Sequence, residues 1–253
     1  MRLYLAPEFE KTIASRGGLS FEDAWDRWSG EVVDENNLRN VERIEFGRTT
    51  AYLKRFHGIQ TKNHWKLRLQ KPHSRSQSER ENAIIHALHS EGFGPPRVLA
   101  WGHELNRNRE VRSLIVTAAH PGTALSDLPP EDRNRLLPEV ADELGRTVAS
   151  GIFLPDLGLD HVYTLADGSL GLLDFHNARR SSRPRRRELA RALVRFFRSP
   201  GAEDCQAARE EFAQLYLTAA ERLDASKWCQ RLFATRLPAH RPHSATEEAP
   251  ELD

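Results

Sequence analysis

Two cysteines among 253 residues, Cys205 and Cys229, are too few for a disulfide framework and are not spaced as a metal knuckle. A reduced, cytoplasmic setting is the expectation. No stretch approaches the roughly 18 uncharged apolar residues that a membrane-spanning helix needs. The opening MRLYLAPEFEK has no apolar run followed by a small-residue cleavage site, so no secretory signal is expected. No segment repeats, and no G-x-G-x-x-G loop is present; only Gly47 marks a turn that would lie over bound phosphates. Net charge is also scarce, at +1, which argues against general nucleic-acid affinity.

The charge that is present is unevenly placed. From Lys54 to Arg80 eight Lys or Arg stand against one acid, Glu79, and from Arg179 to Arg198 nine Arg stand against Glu188. Two basic patches on a neutral chain suggest anionic ligands at particular places. The stretch 62–71 (KNHWKLRLQK) reads as a helix on the N-terminal half or a segment on an anionic membrane surface.

Residues 41–56 alternate as two strands joined at Gly47-Arg48-Thr49, and a helix follows over about 76–91. Pro95-Pro96 precedes strands at 97–103 and 112–118. Pro129 to Ser150 is helical, with Pro138 a candidate junction between two helices. Next come the loop FLPDLGLDH, a hairpin (HVYTL, Asp167-Gly168, LGLLDF), and helices at about 184–198, 203–223 and 225–236. Residues 238–253 read as a disordered tail. The expectation is an α+β fold: a sheet-rich lobe over 1–118 and a helical lobe over 119–237.

Three polar residues punctuate the hairpin. Asp156 sits in the loop, His161 starts a strand five positions later, and Asp174 ends the returning strand, 18 positions after Asp156. An Asp beside a Gly ordinarily caps a turn, and a strand-entry His is often a satisfied core residue. A carboxylate closing an apolar strand is expensive unless something uses it.

This spacing resembles the catalytic loop and D-F-G element of protein kinases. More specifically, Asp156-Leu157-Gly158-Leu159-Asp160-His161 and Leu173-Asp174-Phe175-His176-Asn177-Ala178-Arg179 resemble the lipopolysaccharide kinase family, the Kdo and core-heptose kinases. Tyr52-Leu53-Lys54-Arg55-Phe56 is similar to the strand bearing the ATP lysine, and Glu81 to its helix partner; Gly30-Glu31-Val32-Val33 and RRRELARALVRFF fit as well. The resemblance covers about residues 30–198 and implies a protein-kinase-like, two-lobed fold. It implies ATP held by Lys54 with Glu81, Mg²⁺ held by Asp174 and His161, and Asp156 as catalytic base. The implied acceptor is a Kdo or heptose of the lipopolysaccharide inner core on a lipid, at the cytoplasmic face of the inner membrane. Arg179, Arg180, Arg183, Arg185, Arg186 and Arg187 read either as a solvated segment or as an anion clamp for that acceptor.

Leu154-Pro155 stand where protein kinases carry His-Arg before the catalytic Asp. That departure is the evidence for one rival, a catalytically inactive pseudokinase; intact Lys54, Asp156 and Asp174 oppose it. The other rival is a kinase for a protein or small metabolite. Only 14 positions separate Asp174 from Glu188, with no A-P-E element, which leaves little room for a peptide platform.

Overall fold

The computed structural model describes residues 1–14, 20–58, 67–69, 73–181 and 184–220, and its first half is organised by one antiparallel sheet. The strands are β1 (Arg2–Leu5), β2 (Glu31–Asn36), β3 (Arg39–Phe46), β4 (Thr49–Phe56), β5 (Val98–Asn106) and β6 (Arg109–Ala118), in the order β1-β5-β6-β4-β3-β2. The strands expected over 41–56 are β3 and β4, in register from Arg39↔Phe56 to Phe46↔Thr49. Helices α1 (Pro7–Ala14) and α2 (Phe21–Arg27), with β1 and β2, have no counterpart in the sequence reading. β2 (EVVDEN) is exposed at every position, so it carries no alternating apolar signal.

The sheet buries both faces. Leu114 and Val116 of β6 point toward Phe9, Phe21, Trp28 and Phe46, beneath α1 and α2. Ile115 points the other way, toward Ile84, Ile85 and Leu88 of helix α3 (Gln77–Ser90). The same alternation governs β4: Lys54 opens into a cleft, while its neighbour Arg55 is buried against Glu42 and the carbonyl of Trp25 at 3.1 Å.

Beyond β6 lie β7 (Gly122–Ala124), α4 (Pro130–Ala149), β8 (Ile152–Phe153), β9 (Val162–Leu165), β10 (Leu170–Leu172), β11 (Arg179–Arg180), α5 (Arg186–Phe196) and α6 (Arg209–Ala219). α4 is one helix, not two. Leu137 before Pro138, and Val140, Ala141 and Leu144 after it, enter the same apolar core, and that shared burial carries the helix through the proline. The expected helix over 203–223 opens as a 3-10 turn, Glu203–Ala208, before α6. The helix expected over 225–236, the tail 238–253, most of the stretch 62–71, Cys229 and Arg183 lie outside the described residues.

A buried polar cluster sits under the start of α3. Ser76 Oγ lies 3.0 Å from His103 Nδ1, Ser78 Oγ donates to the Gly102 carbonyl at 2.9 Å, and the Gln77 N–H donates to Glu110 at 3.1 Å. Burial pushes the Glu110 carboxyl up from 4.5 to about 7, against the Ser113 hydroxyl and the Gln77 amide, which favour the anion. Between those two pH values the unfolded chain loses its proton while the folded chain keeps it, so this group's contribution to stability falls as pH rises through about 7. Glu110→Gln removes the linkage. Its stability relative to the parent should climb between pH 5 and pH 8 by up to about 3 kcal/mol, read from urea midpoints; a difference independent of pH would show that Glu110 is not a buried acid.

Candidate active site

Two short ladders assemble the site. β8 pairs with β11 (Phe153↔Arg179), which lays the loop that follows Phe153, including Asp156, alongside residues 176–178. β9 pairs with β10 (Val162↔Leu172), and the Leu173 N–H donates to the His161 carbonyl at 2.9 Å, so His161 and Asp174 come to one place. The loop is tied down at Gly158, where a Cβ would stand 2.5 Å from Asp160 Oδ1 and 2.6 Å from Ser199 Cβ. The Leu159 N–H donates to Ser199 Oγ at 2.9 Å, docking the loop on the end of α5. Leu154 and Leu157 are buried with Phe196 and Phe212, so apolar packing supports the loop at Leu154.

Lys54 is the centre of charge. Its Nζ donates to Glu81 Oε1 and to Asp174 Oδ1, each at 2.9 Å. Burial works against the ammonium, but Glu81 and Asp174 outweigh it and hold the Lys54 pKa above its ordinary value. Burial likewise works against the Asp174 carboxylate, yet Lys54 and His176 hold it well below the usual carboxylate range. Lys54 and Asp174 are therefore charged together. Asp174 has φ 58°, a left-handed backbone that Asp adopts more readily than most residues.

A continuous hydrogen-bonded chain runs outward from this centre. His176 Nδ1 lies 2.7 Å from Asp174 Oδ1, and Asn177 Nδ2 lies 2.8 Å from His176 Nε2 and also meets Asp156 Oδ2. Donation by the amide to Nε2 leaves Nδ1 as the ring's donor, directed at Asp174. Asp156 Oδ1 pairs with Arg195. On the other side, Arg39 bonds Asp34 at 2.7 Å and stands 3.8 Å from Asp174 Oδ2.

Lys54, Glu81, His161 and Asp174 line one cleft of about 530 Å³, with Val41, Tyr52, Ile115 and Leu173 as its less polar walls. Asp156 lies next door, on a hollow of about 720 Å³, and His161 and Asp160 border both. Three expectations change. The turn over the cleft is not at Gly47: the walls come from Val33, Asp34 and Arg39, because the β2–β3 hairpin, and not the β3–β4 turn, ends beside Lys54. His161 closes a 3-10 turn (Leu159–His161) instead of starting a strand, with Nδ1 3.3 Å from the Asp156 carbonyl. Asp174 stands two residues past β10, outside the strand.

The described arginines of the run are spread over different partners. Arg179 donates to Glu188 at 2.6 Å and stacks on Phe153, its guanidinium carbon 4.6 Å from the ring centroid. Arg180 belongs to β11, and the N–H of Arg185 is held by Glu188 at the start of α5. Arg186 begins α5, and among the described side chains of the run only Arg187 borders the hollow that holds Asp156. Sequence reasoning missed Arg39, His176, Asn177 and Arg195. His176 and Asn177 were visible in the element after Asp174; Arg39 and Arg195 reach the site only through the hairpin and the helix face.

The family model for the lipopolysaccharide kinase (Kdo/WaaP) family matches residues 23–216, most of the chain. The chain belongs to that family. Among solved structures, "WaaP in complex with acyl carrier protein" superposes with a TM-score of 0.66 at 21% identity, over 91% of this chain and 97% of that one, which shows a shared kinase-like fold. No curated protein matches. Membership in this kinase family supports a transferase acting on lipopolysaccharide core.

The cleft suits the nucleotide and metal that such kinases use. Among the described residues Glu81 Oε2 and Arg39 Nε at its wall are buried polar atoms without a hydrogen-bond partner, and Lys54 and Arg39 bring positive charge to it. No cluster of three or more His, Cys, Asp or Glu fit to hold a metal occurs among the described residues. Mg²⁺ takes one or two carboxylates and completes its shell with phosphate and water oxygens, and Asp174 and His161 both line this cleft. No helix among the described residues is long and apolar enough to cross a membrane.

α3 braces both sides of this site with adjacent residues. Glu81 holds Lys54, and Arg80 donates from Nε and Nη2 to the Ala178 carbonyl at 3.1 and 2.7 Å. Arg80→Ala should lower unfolding stability by about 2–3 kcal/mol, as loss of hydrogen bonds from a charged group does. A urea midpoint equal to the parent's would mean that this brace carries no energy.

Proposed function

We propose that this protein is an ATP-dependent kinase that phosphorylates a hydroxyl of a Kdo or heptose in the lipopolysaccharide inner core, working peripherally at the cytoplasmic face of the inner membrane. The observation that carries the reading is Lys54 held between Glu81 and Asp174 at 2.9 Å, with Asp156 joined to the same network through Asn177 and His176.

Phosphoryl transfer asks a protein mainly for positioning and charge. Lys54, held by Glu81, binds the ATP phosphates; Asp174 and His161 would hold a divalent ion, which when bound would supply positive charge at the phosphates. Asp156 orients the acceptor hydroxyl and receives its proton as the new O–P bond forms and the bond from the γ-phosphorus to the bridging oxygen breaks, releasing ADP. Asn177 fixes Oδ2 of Asp156, and Oδ1, paired with Arg195 in this structure, is the oxygen that would turn to the acceptor. Leu154 supports the loop by packing, which weakens the case for an inactive pseudokinase.

Asp174→Asn is the cleanest test, because Asn tolerates a left-handed backbone as well as Asp does. The variant should fold yet lose ATP-dependent phosphorylation of lipopolysaccharide core, followed by mass spectrometry; parental turnover would remove Asp174 from the site. Asp156→Ala should cut turnover by about a hundredfold or more while nucleotide affinity holds. A collapse of nucleotide binding in that variant would assign Asp156 to the ATP side.

A further inference from the structure

The hollow beside the nucleotide cleft has a composition that the reaction so far does not explain. Arg187, Arg191 and Arg195 are spaced four apart on α5, and Arg198 follows just past its end, so their side chains fall on one face. All four border the hollow, and the opposing wall carries Asp156, Asp160 and His161. Four guanidinium groups against two carboxylates leave an excess of positive charge around the proposed base. Like charges at this spacing weaken a helix, so the stripe opposes the stability of the helix that bears it.

We propose that this hollow is the acceptor site and that it selects a sugar bearing several carboxylate or phosphate groups, the guanidinium forks of Arg187, Arg191 and Arg195 reading those anions; the proposal rests on the kinase reading above. The position fits an acceptor. Asp156 lies on this hollow and not in the nucleotide cleft, while His161 and Asp160 border both, so a hydroxyl held at Asp156 faces the nucleotide end. Planar guanidinium forks suit paired oxygens of carboxylate and phosphate, which neutral sugars lack.

Arg195 adds a second consequence. Its guanidinium pairs with Asp156 Oδ1, the oxygen that Asn177 leaves available. An anionic group on the acceptor competes for that guanidinium and frees Oδ1 to take the hydroxyl proton. Water brings no such anion. Arg195 is thus a positioning residue that ties the availability of the base to the charge of the acceptor.

The test uses the full chain with three probes: Kdo₂–lipid A in detergent micelles, the same glycolipid with its carboxyls reduced to alcohols and its phosphates removed, and phosphatidylglycerol vesicles. The parent protein should bind the native glycolipid at least tenfold more tightly than the reduced one, and added salt should narrow that gap. Arg191→Gln with Arg195→Gln should lose at least tenfold for the native glycolipid and little for the reduced one, with the KM for the glycolipid rising and that for ATP steady. Arg195→Gln alone should raise acceptor-free ATP hydrolysis several-fold; no rise would overturn the link between Arg195 and the base. Equal affinity of the parent for both glycolipids overturns the proposal even if the double variant fails to fold. Vesicles that compete fully with the native glycolipid also overturn it, since the site would then read lipid phosphate. A parent that binds the native glycolipid selectively but transfers no phosphate refutes the kinase reading and keeps the anion site. A parent that transfers phosphate, with the variants' KM unchanged, does the reverse.

Discussion

One buried ammonium organises the functional half of this molecule. Lys54 comes from the central strand β4, Glu81 from the helix α3, and Asp174 from the segment between the two small ladders, so a single pair of hydrogen bonds joins three separately folded pieces. The energetics favour treating the three as a unit. Leaving one buried charge without its partner costs about 3–5 kcal/mol, several times what a helix cap contributes. The charges proposed to bind phosphate are thus also the charges that tie sheet, helix and loop together. Arg80, one residue before Glu81, extends the same logic by holding the Ala178 carbonyl, so a shift of α3 would move both Lys54 and the segment after Asp174.

Much of this was legible in the chain. Strands β3 to β6 and helix α3 announce themselves through alternation and helical period, while Lys54 and Glu81 were named from the family resemblance and Asp174 from its place at the end of an apolar run as well. What escaped has a common physical cause. β2 is exposed on both faces and α1 and α2 are short, so none of them shows a strong period. Pro138 looks like a break to local reasoning, but the core on both sides of it overrides the lost hydrogen bond. Arg39 reaches Asp174 only because the β2–β3 hairpin folds over the cleft, a contact across 135 positions of chain that no local pattern encodes.

The arginines show the same limit more sharply. A linear reading groups Arg179 to Arg187 because they are adjacent, whereas the fold sorts them by face. Arg179 turns inward to Glu188 and Phe153, and the ones that border the hollow are spaced along α5 at 187, 191 and 195. Helical period, and not density in sequence, decides which charges act together. The useful signal was present in RRRELARALVRFF, but only once the segment is known to be a helix with its apolar face, Leu189, Leu193 and Phe196, turned to the core.

The departure at Leu154-Pro155 follows from the same arrangement. A histidine supporting this loop would do so by hydrogen bonding; here the support is distributed over Leu154 and Leu157 in the core, Gly158 against Ser199, and the Leu159 amide on Ser199 Oγ. Pro155 fixes its own backbone angle and biases Leu154 toward an extended one, lowering the entropy cost of ordering the turn before Asp156. The carboxylate is then oriented from outside the loop, by Asn177 on one oxygen and Arg195 on the other. A loop held by packing and aimed by its neighbours does not need the histidine, and Asp156 keeps a defined direction toward the hollow that borders it.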